Sequence, residues 1–146
     1  GILDGGDVFH VGRRVFVGRT SRTDDAGITQ LRAELAPFGY TVSVVDVTGC
    51  LHLKSAVTAV DDRTVLLNPA WVDARSFAPL DAIAVDSTEP TAANILRIGD
   101  ALVYADAFPL TQARLEARGH RVHVVPATEI AKAEGAVTCC SLVLRA

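Results

Sequence analysis

The sequence predicts an α/β fold assembled from repeated ββαβ units, about three of them plus one closing strand. Three observations lead there. Short apolar runs come in pairs around tight turns. Each pair is followed by a helix-forming stretch and then by one more apolar run. The whole pattern returns roughly every 45 residues, a period in the range of repeat and propeller-like architectures.

The first unit opens with residues 7–11, and a Gly12 turn leads into Arg14-Val15-Phe16-Val17, together a hairpin. Thr23 is expected to cap a helix whose first turn carries Asp24 and Asp25, acids where the helix dipole favours them. Ile28, Leu31, Leu35 and Phe38 fall near one helical face, and Gly39 ends it. Residues 40–46 alternate as a strand. In the second unit, strands are expected over 56–60 and 65–67 around Asp61-Asp62. A short helix after Pro69 and a returning strand over 82–85 complete it. In the third, strands over 93–98 and 101–104 flank Gly99-Asp100. Pro109 then opens a helix that ends near Gly119, and 121–125 return as a strand. A helical turn over 127–133 leads into a final apolar strand, 137–144.

The 146 residues are 49% hydrophobic and 21% charged, the balance of a folded domain with its own core. No Gly/Ser- or Pro-rich linker divides them, so residues 1–146 count as one structural unit. A net charge of −3 makes no electrostatic case for nucleic acid or an anionic membrane as partner. No apolar run approaches the ~20 residues of a membrane helix, and no signal-peptide pattern opens the chain. Three cysteines, two of them adjacent, make a poor disulfide framework, so a reducing cytoplasm is the expected compartment. The chain contains no Met and starts on Gly1-Ile2-Leu3-Asp4, an extended segment entered midway. We expect a piece of a longer protein.

The repeat makes certain positions equivalent. Asp4, His52, Asn94 and Cys139 each stand at or near the opening strand of a unit, separated by 48, 42 and 45 residues. If the units circle a common axis, a carboxylate, an imidazole, an amide and a thiol converge at its centre, which is a plausible catalytic group. Cys139 alone reads equally well as a small buried strand residue. Cys140, next along the expected strand, should face the opposite side and serve as core. A zinc site from Cys50, His52 and Cys139 is conceivable by ligand type, but it lacks the paired spacing of a structural site. His10, His120 and His123 are expected on strand surfaces. Gly5-Gly6 is too short for a phosphate loop and is expected to permit close backbone approach. Asp7 is expected to bond local backbone, with substrate contact as the other reading. Asn94 is expected to satisfy main-chain groups.

Five motifs carry a resemblance. Leu3-Asp4-Gly5-Gly6-Asp7-Val8, Ser21-Arg22-Thr23, Leu51-His52-Leu53-Lys54-Ser55, Ala92-Ala93-Asn94 and Thr138-Cys139-Cys140-Ser141 occur in this order and at these spacings. In that the chain resembles the dimethylarginine dimethylaminohydrolases of the guanidine-modifying superfamily, over essentially all 146 residues. The resemblance implies that the chain is the C-terminal portion of one catalytic domain, part of a five-bladed α/β propeller of ββαβ modules. It implies hydrolysis of methylated L-arginines to citrulline. Cys139 matches the nucleophile, His52 the general acid/base and Asp4 the acid that holds the histidine. Arg22 matches the arginine on the substrate's α-carboxylate, and Ala133 lends a backbone carbonyl to the α-amino group. These residue types suit the chemistry. A guanidinium carbon is a poor electrophile that needs a thiolate, and a planar guanidinium fork can take both carboxylate oxygens. No metal or other cofactor is required.

Lys54 stands where arginine deiminases and amidinotransferases usually carry an acid, which favours a methylated guanidine over free arginine. The resemblance also implies that the residues recognising the guanidinium lie in an N-terminal companion segment, so this piece alone is expected to be inactive. Two alternatives stay open: an arginine deiminase-like hydrolase of another guanidine, and a non-catalytic thiol- or zinc-binding module.

Overall fold

The computed structural model describes residues 1–144. Three three-stranded sheets follow one another along the chain, each an antiparallel hairpin whose second strand pairs in parallel with a third. That is the ββαβ pattern the periodicity predicts.

In the first unit, β1 (Val8–Val11) and β2 (Arg14–Arg19) pair from Val8↔Val17 to Val11↔Arg14, around Gly12 at φ 58°. Helix α1 (Asp25–Leu35) crosses back to β3 (Thr41–Asp46). Its cap is Asp24 rather than Thr23: the Asp24 carboxylate accepts from Gly27 N at 2.7 Å and from Ile2 N at 3.0 Å. Thr23 is buried and turns its hydroxyl to Asp7 instead. Phe38 also departs from expectation, lying 65% exposed. Pro37 cannot continue the helical bonding, so α1 gives way to a 3-10 turn, Ala36–Phe38, that carries Phe38 off the apolar face. Gly39 ends the segment at φ 75°.

The second unit contains α2 (Leu53–Ala56), β4 (Val57–Ala59), β5 (Thr64–Leu67) and β6 (Asp81–Ala84). The helix expected after Pro69 forms as one 3-10 turn, Ala74–Phe77, capped by Asp73. The third unit contains β7 (Leu96–Ile98), β8 (Ala101–Ala105), α3 (Pro109–Ala117) and β9 (Arg121–Val125), followed by α4 (Thr128–Lys132). Glu89 reaches across to accept from Leu110 N and Thr111 N, satisfying two of the unpaired donors at the start of α3.

The expected closing strand does not form. Residues 137–140 make a turn in which Cys140 N bonds Ala136 O at 3.0 Å and Ser141 Oγ bonds Val137 O at 2.6 Å. Thr138 is tied to the third unit through Asn94 Oδ1 and Ile95 O, and these local bonds replace a strand ladder.

The core lies at the seams between units. Strand β5 is buried on both faces, and its pleat divides the work. Val65 and Leu67 join Phe9, Phe16, Leu53, Val57 and Phe77 in the seam with the first unit, where the three phenylalanine rings lie 5.1–6.0 Å apart. Leu66 faces the other way, into the seam with Ile95, Leu102, Tyr104 and Leu115 of the third. Both seams fix how the openings of successive units sit side by side.

Candidate active site

The segment before β1 forms one side of the site. Asp4 accepts from Gly6 N at 2.7 Å and so caps a 3-10 turn, Gly5–Asp7. The turn brings Gly6 against the face of the His52 imidazole. A Cβ at position 6 would lie 2.7 Å from ring atoms Cδ2 and Cγ. Close approach is therefore the role of Gly6, whereas Gly5 has nothing within 4 Å.

His52 precedes α2, three-quarters enclosed, with its Nε2 3.4 Å from Asp4 Oδ1. The pair is within ion-pair reach but not aligned as a hydrogen bond, and Nε2 is buried without an aligned partner. Arg22 Nη1 stands 3.8 Å from the other Asp4 oxygen, with half of its side chain exposed. The Gly6 N–H is the largest influence holding the Asp4 carboxyl below its ordinary range, and the His52 and Arg22 charges add to it against partial burial. Asp4, His52 and Arg22 thus form one cluster.

Asn94 organises the other side. It is buried, and its Nδ2 donates to Lys54 O at 3.2 Å and to Cys139 Sγ at 3.3 Å. Its Oδ1 accepts from Thr138 N at 2.9 Å. One amide therefore joins the chain two residues after His52 to the turn that presents Cys139. Cys139 is exposed and lines a cavity of about 620 Å³ with Cys50, Ser55, Trp71, Asn94 and Phe108. Among the described residues, Cys139 makes no hydrogen bond to His52; its partner is Asn94.

The remaining expectations divide. Ala133 follows α4 directly, and its neighbours Ala131 and Glu134 line the same cavity, Glu134 with a left-handed φ of 57°. Cys140 is exposed rather than core, because strand alternation does not apply in a turn. Cys50 is half-buried and bonds His52 O at 3.3 Å; burial, and then the Asp7 charge, push its thiol up to about 11. His10 and His123 are exposed, and His120 lies 3.9 Å from Asp61. Among the described residues no three His, Cys, Asp or Glu side chains are placed to hold a metal, so Cys50, His52 and Cys139 do not assemble as ligands. No described helix is long and apolar enough to cross a membrane.

One position carries no motif in the sequence, and another reaches further than expected. Gly18 sits inside β2, where a Cβ would lie 2.8 Å from Leu53 Cβ and 3.2 Å from Asp7 Oδ1. A glycine in mid-strand is the signal of close approach that marks it. Asp7, expected to bond local backbone, instead reaches Leu53, 46 residues away.

No family model matches the chain. Its sequence is similar to a dimethylarginine dimethylaminohydrolase of Streptomyces coelicolor, 41% identical over 146 residues that make up 99% of this chain and 55% of that protein. A Pseudomonas aeruginosa protein of the same name is 29% identical over 97% of this chain and 56% of that one. The structure of a P. aeruginosa dimethylarginine dimethylaminohydrolase variant complexed with citrulline matches with a TM-score of 0.85 at 27% identity, over 97% of this chain and 56% of that one. An amidinotransferase from Microseira wollei shares the fold, with a TM-score of 0.88 at 18% identity. The chain spans about half the length of the curated relatives it matches.

The three modules thus have the α/β propeller-like fold seen in the dimethylarginine dimethylaminohydrolase and amidinotransferase structures. Within that class, the chain is similar in sequence and in fold to dimethylarginine dimethylaminohydrolases, over nearly all of its own length and about half of theirs.

Proposed function

We propose that this chain supplies the nucleophile and acid/base side of an enzyme that hydrolyses asymmetric dimethyl- and monomethyl-L-arginine to citrulline and the methylamine. The observation that carries the reading is the 41% identity to a relative of that name, over a chain whose Asp4, His52 and Arg22 stand together. Cys139, as thiolate, attacks the guanidinium carbon. The bond to the methylated nitrogen breaks, and His52 as imidazolium gives the departing amine its proton. A covalent S-alkylthiouronium remains on Cys139. His52, now neutral, takes a proton from water as it attacks, and the thiol leaves with citrulline formed.

Asp4 orients and charge-balances His52 through the reaction. Arg22 holds the α-carboxylate, and the Ala133 carbonyl accepts from the α-ammonium. Lys54 stands where arginine deiminases and amidinotransferases usually carry an acid, which supports this substrate over arginine. We further propose that residues 1–146 are the C-terminal portion of one propeller domain in the cytoplasm, completed by a companion N-terminal segment that recognises the guanidinium. The reading is tested by measuring citrulline release from dimethylarginine and from arginine in parallel, with the chain joined to its companion N-terminal segment. Release from dimethylarginine, lost in Cys139→Ser, is expected; release from arginine alone makes it a deiminase, and release from neither removes the hydrolase.

A further inference from the structure

Asp7 is wholly buried and takes no part in the reaction just described. Its carboxylate accepts three bonds. Thr20 Oγ1 at 2.6 Å and Thr23 Oγ1 at 2.7 Å both donate to Oδ2, and Leu53 N donates to Oδ1 at 3.0 Å. An ionised carboxylate only accepts, and a hydroxyl has a single proton, so both threonine protons are committed to Asp7. Each threonine oxygen is then left as an acceptor. Thr23 Oγ1 takes the N–H of Asp4 at 3.0 Å, and Thr20 Oγ1 takes the N–H of Arg22 at 3.1 Å. The third bond goes directly to the N–H that follows His52.

One side chain therefore sets the direction of bonding to the main chain at Asp4, at Arg22 and beside His52, the three residues that form the charged cluster. Those residues lie in three separate segments, and nothing local in sequence holds them in common register. We propose that Asp7 is the positioning residue of this site. Through Thr20 and Thr23 it fixes the polarity of a hydrogen-bond relay that aligns the backbones carrying Asp4, Arg22 and His52. The assignment of roles to those three rests on the proposed function; the relay itself does not.

Asparagine at position 7 keeps the shape but replaces one acceptor oxygen by a donor. If that donor meets the threonines, their hydroxyl protons lose Asp7 as acceptor and must turn elsewhere, and the direction of the relay is no longer fixed. If it meets Leu53, that N–H loses its acceptor. Valine at 20 or 23 breaks one branch each, and serine preserves it. The experiment is amide hydrogen exchange on the chain with its companion N-terminal segment, together with steady-state kinetics, in Asp7→Asn, Thr20→Val, Thr23→Val and the two serine variants.

Thr20→Val is expected to speed exchange at Arg22 about tenfold and to raise KM, because Arg22 holds the substrate. Thr23→Val is expected to speed exchange at Asp4 about tenfold and to lower kcat, because Asp4 acts through His52. Asp7→Asn should disturb both functions, and serine should restore each. The proposal is overturned if the two valine variants change the same amides and the same kinetic constant. It is equally overturned if exchange rises uniformly over β2 and β3, as in a general loss of stability, or if serine does not rescue. Should Asp7→Asn fail to fold, the two valine variants carry the test. If the wild-type protein with its companion segment releases no citrulline, the proposed function fails, and the exchange pattern still judges the relay.

Discussion

Replacing Gly6 by alanine puts one methyl group against the acid/base residue and leaves the rest of the molecule alone. The new Cβ would stand 2.7 Å from His52 Cγ and Cδ2 and 3.1 Å from Nδ1. Ordinary contact between such atoms is about 3.5–4.0 Å, so the ring has to retreat by roughly 1 Å. Gly6 does not have a positive φ, so its backbone accepts alanine and the imidazole must give way. Its Nε2 starts 3.4 Å from Asp4 Oδ1, and a retreat of that size takes the pair out of contact. A misplacement of about 1 Å in a catalytic group can cost about 100-fold, and we expect kcat/KM for citrulline release to fall by that order. Overpacking of this kind costs roughly 1–3 kcal/mol, so Tm should drop by no more than several degrees. Gly5→Ala is the control, because nothing lies within 4 Å of its Cβ. Steady-state kinetics with a thermal melt decides the matter. Gly6→Ala activity within about twofold of wild type, at unchanged stability, refutes the reasoning, since a loss of about 100-fold is what the geometry requires.

Four further outcomes are expected. Asn94→Ala removes the donor to Cys139 and strands the half-buried Thr138 N–H, so it should cost about 1–3 kcal/mol in a denaturant titration and lower kcat beyond what that loss explains. Iodoacetamide at neutral pH should label Cys140 well before Cys50, whose thiol stays protonated until about pH 11. Because the folded state keeps that proton above the ordinary value near 9, its contribution to stability falls as pH rises from about 9 to 11; peptide mapping of labelled protein reads the first effect and melts the second. At the acid end, Asp24 is held low by the Gly27 and Ile2 N–H groups, and Asp86 by the Thr88 N–H and hydroxyl and then by Arg114. Lowered carboxyls contribute stability above their unfolded range, near pH 4, and lose it as pH falls through the folded values. Acid unfolding should begin below about pH 4 and be blunted in Asp24→Asn and Asp86→Asn; a transition unmoved by either variant counts against that account.

Most of the fold was legible because strand pairs and periodicity are local signals. The hairpin around Gly12, the strand 121–125 and the helix opened by Pro109 all follow from neighbours in sequence. Errors arose where a distant partner decides. Thr23 looks like a cap, but a buried carboxylate sixteen residues earlier claims its hydroxyl, and Asp24 caps instead. Residues 137–144 have the composition of a strand, yet Asn94 and Ile95 fasten Thr138, and the segment turns. Cys140 departs from expectation for the same reason, since alternation assumes a pleat.

In the site, the repeat spacing brought Asp4 toward His52 and Asn94 toward Cys139. It could not show that these are two clusters joined through residues 50–55. The threonine relay was also hidden. Thr20 and Thr23 carry no motif beyond Ser21-Arg22-Thr23, and the direction of a hydroxyl bond depends on what it meets in space.

Everything proposed for the reaction turns on Cys139 as the nucleophile toward a methylated guanidine. The most direct measurement is acid quench of the chain, joined to its companion N-terminal segment, during turnover of dimethylarginine, followed by peptide mapping by mass spectrometry. A thiouronium adduct on Cys139 that disappears as substrate is exhausted is the expected result. An adduct confined to Cys140 or Cys50, or citrulline release from a Cys139→Ser protein, would contradict it.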